Sequence, residues 1–142
     1  MPRRPQSSEG VPSLPLDLGD LSDHSLMTLF NELTAWSNYI AMQVAKAEVD
    51  EDEAEARLKT LSAKYMVKNT DKGDKVTIVR AERDTDPDVV EAEQEVIRRK
   101  ALRKMVSTLM QNTERSTFAV SRELTRRVGL AGPSGRTHRT GA

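Results

Sequence analysis

The chain contains no cysteine. That excludes disulfides, thiolate metal sites and a cysteine nucleophile, and it permits an intracellular setting. Aromatics are scarce, with one tryptophan, two tyrosines and two phenylalanines. With only Phe30, Trp36, Tyr39, Tyr65 and Phe118 on offer, base-specific reading of nucleic acid is not expected, and any such contact should be mainly electrostatic. No apolar run approaches the roughly 18 residues that a membrane span requires, so no membrane partner is expected. Arg3 and Arg4 are followed by Pro5, Gln6, Ser7, Ser8, Glu9 and Gly10 rather than by an apolar stretch, so no secretory signal is expected. Lys plus Arg and Asp plus Glu number 22 each, so net charge names no partner and the distribution of charge must be read instead. The two histidines are His24, at a predicted helix start, and His138, in the C-terminal tail. They do not form a nucleophile–base pair, and no glycine-rich phosphate loop is present. The expectation is a protein that is not an enzyme, carries no cofactor or metal, and works by binding.

Glycine and proline are also absent from two long windows, 20–72 and 88–128. Both residue types disfavour helix interiors, by about 1 kcal/mol for Gly and 3 for Pro relative to Ala, so each window can hold one uninterrupted helix. The first helix is predicted over about 22–68, with Ser22 as its N-cap. Counting by sevens gives Leu26, Leu33, Ile40, Ala47, Ala54, Leu61 and then Lys68. Companion positions hold Leu29, Phe30, Trp36, Val44, Leu58 and Tyr65, which makes a sustained heptad seam.

A link over 69–86 follows. Asn69 to Asp74 reads as a turn. Val76, Thr77, Ile78 and Val79 read as a short strand, as plain extended chain, or as a continuation into the next helix. Asp86-Pro87 then offers an N-cap and a proline at the first helical position, and Asp88, Glu91, Glu93 and Glu95 complement the helix dipole. This second helix is predicted over about 87–128. Its apolar stripe reads Val90, Ile97, Ala101, Met105, Leu109, then Asn112 and Ser116, then Val120 and Leu124. Arg126 and Arg127 precede Gly129 as a stop signal. Residues 1–20 and 129–142 read as disordered tails. The fold class is therefore all-α: a long, antiparallel, coiled-coil-like helical hairpin over 21–128 with a short extended link and disordered termini. Its core is thin, and self-association into a homo-oligomer would supply further buried surface. The seam residues expected to serve core or oligomer are Leu26, Leu33, Trp36, Ile40, Val44, Leu58, Leu61, Ile97, Met105, Leu109, Val120 and Leu124.

The acidic run Asp50, Glu51, Asp52, Glu53 and Glu55 lacks the glycine turn and spacing of a calcium loop and reads as a solvated helix face. On the second helix Arg98, Arg99, Lys100, Arg103 and Lys104 fall within seven positions. Arg99, Lys100, Arg103 and Lys104 share an arc of about 140°, opposite Ile97, Ala101 and Met105. Two readings stand open: a basic track for phosphates, or pairing with the acids between Glu48 and Glu55 on the first helix. A second basic group holds Arg115, Arg122, Arg126, Arg127, Arg136 and Arg139, opposed after Arg115 only by Glu123, and favours an anionic partner. Lys59, Lys64 and Lys68 with Tyr65 form a smaller group at the end of the first helix.

Three stretches taken together, LTAWSNYIAMQVAKAEVDEDEAEARLKTLSAKY (33–65), KVTIVRAERDTDPDVVEAEQEV (75–96) and STFAVSRELTRR (116–127), resemble phage recombination mediators of the UvsY type over about residues 26–128. The resemblance implies a ring-like homo-oligomer in the cytoplasm of an infected bacterial host cell. It would bind single-stranded DNA and help a RecA-like recombinase displace the single-strand-binding protein. It further implies basic and tyrosine residues near the end of the first helix, where Lys59, Lys64, Tyr65 and Lys68 stand. The nucleic-acid-binding residues expected are these four with Arg99, Lys100, Arg103, Lys104, Arg122, Arg126 and Arg127. The rival expectation is a non-catalytic structural, scaffold or adaptor protein of a phage, acting through protein–protein contacts.

Overall fold

A computed structural model describes residues 1–6, 10–70, 73 and 75–131. Among these residues the chain is all-α, with a short 3-10 turn at Leu18–Asp20 followed by α1 (Asp23–Thr70), α2 (Val76–Thr85) and α3 (Pro87–Ala131). Ser22 starts α1: its Oγ accepts from the Ser25 backbone N–H at 3.1 Å, and its carbonyl accepts from Leu26 N–H at 2.9 Å. Gly73, with φ at +82°, donates to the Thr70 carbonyl and closes the helix, a conformation that a side chain would strain. Asp86 starts α3, its carboxylate accepting from the backbone N–H groups of Asp88 and Val89.

The chain divides into two units, residues 1–42 with 109–142, and residues 43–108. In each, a part of α1 runs antiparallel to a part of α3, the pairing of a long helical hairpin. The first unit centres on Leu26, Leu33 and Val120, all fully buried, with Leu29, Phe30 and Leu124 around them. In the second, Ala47, Glu51 and Ala54 of α1 are buried, as are Val89, Ala92 and Val96 of α3. The count by sevens along α1 therefore describes its inner face: every member from Leu26 to Ala54 is buried, and Leu61 is half-buried. Trp36 is also buried, while Val44 and Leu58 are half-buried.

Three expectations are corrected. The link is not extended: α2 occupies ten of its residues and buries Val79 completely. The β-branched run Val76 to Val79 has only a weak preference for strand. A lone strand would leave its backbone groups without partners, whereas a helix meets its own. The N-terminal segment is not without structure over residues 10–21. Val11, Leu14, Leu18 and Leu21 pack against the Leu26, Leu33 and Val120 cluster, and the Asp17 carboxylate caps the 3-10 turn through Gly19 N–H. At the other end α3 runs through Gly129 to Ala131; the tail from 132 on, with Arg136, His138 and Arg139, lies outside the described residues.

The third correction concerns α3. Ile97, Met105 and Leu109 are 66%, 68% and 43% exposed, so they do not belong to the seam within the chain. The inner face is instead Val89, Ala92, Val96, Arg99, Arg103 and Val106, an unbroken alternation of three- and four-residue steps. Val120 and Leu124 continue the same alternation in the other unit.

Candidate nucleic-acid interface

The inner face of α3 decides the fate of the basic stripe. Arg99 and Arg103 sit at seam positions, half-buried, opposite the acids of α1. Arg103 donates through Nε to Glu51 Oε2, and Glu51 is only 9% exposed. The small Ala47 and Ala54, both buried, flank Glu51 on the same face. Arg99 Nη1 reaches Asp50 Oδ2 at 3.3 Å, and its Nε reaches Glu95 Oε1 at 2.6 Å. Lys100 Nζ lies 2.7 Å from Glu55 Oε1. Arg98 pairs with Glu95 at 2.8 Å. Hydrogen bonds from Arg98 and Arg99 lower the pKa of Glu95, while the hydrogen bond to Glu55 raises that of Lys100 and the one to Glu51 raises that of Arg103. Each shift marks a charge already answered within the chain. The pairing reading is seen in this structure; within the stripe only Lys104, exposed, has no ion pair among the described residues.

Arg126 and Arg127 are engaged too. Glu123 accepts from Arg126 Nη2 at 2.7 Å and from Arg127 Nε at 3.0 Å, and these two hydrogen bonds hold its carboxyl down at about 2. Arg127 also donates to Asp23 Oδ1 at 2.7 Å and to the carbonyls of Leu18 at 3.1 Å and Leu21 at 2.6 Å. One guanidinium thus ties the segment ahead of α1 to the last turns of α3. Arg115 and Arg122 are exposed and make no ion pair among the described residues.

The end of α1 is open as well. Lys64 and Lys68 are one helical turn apart, exposed, and free of ion pairs among the described residues. With Leu61, Tyr65 and Asn69 they form one wall of a cleft of about 300 Å³, whose other wall carries Asp86, Asp88 and Val89. Asn69 Nδ2 donates to the Tyr65 carbonyl at 2.9 Å and stiffens this last turn. Tyr65 is half-buried, and burial, then the carboxylates of Glu82 and Asp86, raise its pKa. Lys59, five residues before Lys64, lies roughly 140° around the helix and does not join the cleft. Asp86 and Asp88 were not foreseen here; their capping signal was legible, but nothing in the sequence set them opposite Lys64.

Elsewhere Ala54, Arg57, Leu61, Asp88, Glu91 and Glu95 are among the residues lining a cleft of about 350 Å³. Among the described residues no three His, Cys, Asp or Glu side chains are grouped to hold a metal ion, and no helix is long and apolar enough to cross a membrane. No family model matches the chain, and comparisons with curated proteins and with solved structures find no match either.

Proposed function

We propose that this chain is a non-catalytic, self-associating protein that binds single-stranded DNA in recombination, in the manner of the UvsY-type mediators it resembles. The observation that carries the reading is the Lys64, Tyr65 and Lys68 group, two exposed cations without an ion pair among the described residues beside an aromatic ring, on a cleft whose far wall holds Asp86 and Asp88. Lysines hold phosphates without reading sequence, and a tyrosine face accepts any base. The group stands where the resemblance expects basic and tyrosine residues. The role is conformational: the protein presents a single strand to a RecA-like recombinase as the single-strand-binding protein leaves, in the cytoplasm of the infected cell, with no bond made or broken. One protomer offers few phosphate contacts, so useful affinity comes from several copies acting on one strand. Arg99, Lys100 and Arg103 would have to leave Asp50, Glu55 and Glu51 to meet a phosphate, so the lysines carry the contact in this proposal.

A second reading, an assembly or adaptor protein acting on other proteins alone, is favoured by the exposed Ile97, Leu102 and Met105. Fluorescence anisotropy of a labelled single-stranded oligonucleotide separates the two. Binding at low salt that Lys64→Ala weakens supports the mediator; no change with micromolar protein leaves the adaptor reading.

A further inference from the structure

Within residues 43–108 each long helix carries a second face, opposite its seam. On α3 this face presents Ile97, Ala101 and Met105, with both large residues about two-thirds exposed. On α1 it presents Ala45, Val49, Ala56 and Ala63, all exposed and all smaller. Residues on each face recur at steps of three, four or seven, as a helix-packing stripe requires. The charges beside the stripes are mixed but complementary: acids outnumber Lys59 on α1, and Arg98 and Lys104 stand with Glu93 on α3. Glu48, Asp52 and Glu53 flank the stripe on α1 and make no ion pair among the described residues; Arg98 and the unpaired Lys104 flank the stripe on α3. We infer that the outward face of α3 in one copy packs on the outward face of α1 in a second copy, large residues against small and cations against acids.

The flanking charges set the register. With Lys104 of an antiparallel α3 opposite Glu48 of the next copy, Glu93 falls opposite Lys59 and Arg98 falls one residue from Glu53. Pairing α3 with α3 about Ala101 would instead set Lys104 against Arg98, cation on cation. The two faces differ, so the contact is heterologous: each copy offers one face and uses the other, and copies add head to tail until the rotation closes a ring or the array runs on.

This inference rests on the self-association in the proposed function, and mixing tests it separately from DNA binding. Ile97→Asp with Met105→Asp disables the α3 face, and Val49→Lys with Ala56→Lys disables the α1 face. All four positions are exposed, so helix content by circular dichroism should hold. By sedimentation velocity the wild type is expected to associate and each double variant to lose association. An equimolar mixture of the two is expected to double in mass to a heterodimer and stop there, because one intact face of each kind remains. Lys104→Glu should weaken association, and Glu48→Lys in the same chain should restore it. A wild type that stays monomeric overturns both the inference and the self-association it rests on. A wild type that associates while either double variant does so equally, or while the mixture stays monomeric, overturns the face assignment alone.

Discussion

Salt dependence separates the open cations from the paired ones. The perturbation is removal of one charge at a time, Lys64→Ala against Arg103→Ala. Two lysine contacts to a single strand give a slope near −1.4 for the logarithm of the binding constant against the logarithm of salt, or about sevenfold weaker binding from roughly 50 to 200 mM. Had all ten expected cations met phosphate, the slope would approach −7. On an oligonucleotide short enough to reach one protomer, Lys64→Ala should halve the slope to about −0.7, and Arg103→Ala should leave it unchanged. The assay is anisotropy across a salt series, with circular dichroism to confirm that each variant stays helical. Tyr65→Ala should weaken binding without altering the slope, because the ring carries no charge. A wild-type slope near −7, or a fall in slope for Arg103→Ala matching that for Lys64→Ala, would refute the reasoning, since it would show that the Glu51 pair opens at no cost to meet DNA.

Leu33 is fully buried in the first unit, so Leu33→Ala should cost about 2–5 kcal/mol in denaturant melts. Phe118, 69% exposed, should change stability by less than about 0.5 kcal/mol when replaced by alanine, and equal losses at the two sites would contradict the burial pattern. Glu123 has a folded pKa of about 2, below the ordinary 4.5, so its contribution is fully present above pH 4.5 and fades as pH falls towards 2. An acid titration followed by circular dichroism should show that loss, and Glu123→Gln should remove the Glu123 share of it; an unchanged acid transition counts against the assignment. Arg127→Ala should free the segment around Leu18 and Leu21, read as faster proteolysis within residues 10–22, whereas Arg122→Ala should not.

The inner face of α1 was legible from the sequence because its apolar residues and its heptad agree: Leu26, Leu33, Ile40 and Leu61 mark a single line, and Ala47 and Ala54 keep to it. Both helix starts were legible as well, since Ser22 and Asp86 are strong capping residues with local partners. The link was not, because Val79 becomes helical by being buried, and burial is a property of the packed chain. Nor was the segment from Val11 to Leu21: its prolines and glycines suggest a tail, while the contact that holds it is a guanidinium more than 100 residues away. Lys64, Tyr65 and Lys68 were legible as a group, but the opposing wall of their cleft was not.

The inner face of α3 departs from the apolar stripe of its sequence for a reason that also explains its surface. The helix carries two competing lines, one richer in large apolar residues through Ile97 and Met105, the other passing through Arg99 and Arg103. Apolar content alone favours the first. But α1 brings Glu51 to the seam between Ala47 and Ala54, and turning Ile97 and Met105 inward would bury that carboxylate without a partner. Arg103 answers it directly, with Arg99 on Asp50 beside it. Charge on one helix thus sets the rotation of the other, and the rotation turns the larger apolar side chains outward. The stripe that looked ready for phosphate is paired with acids of α1, and the stripe that looked like core faces outward, for one and the same reason.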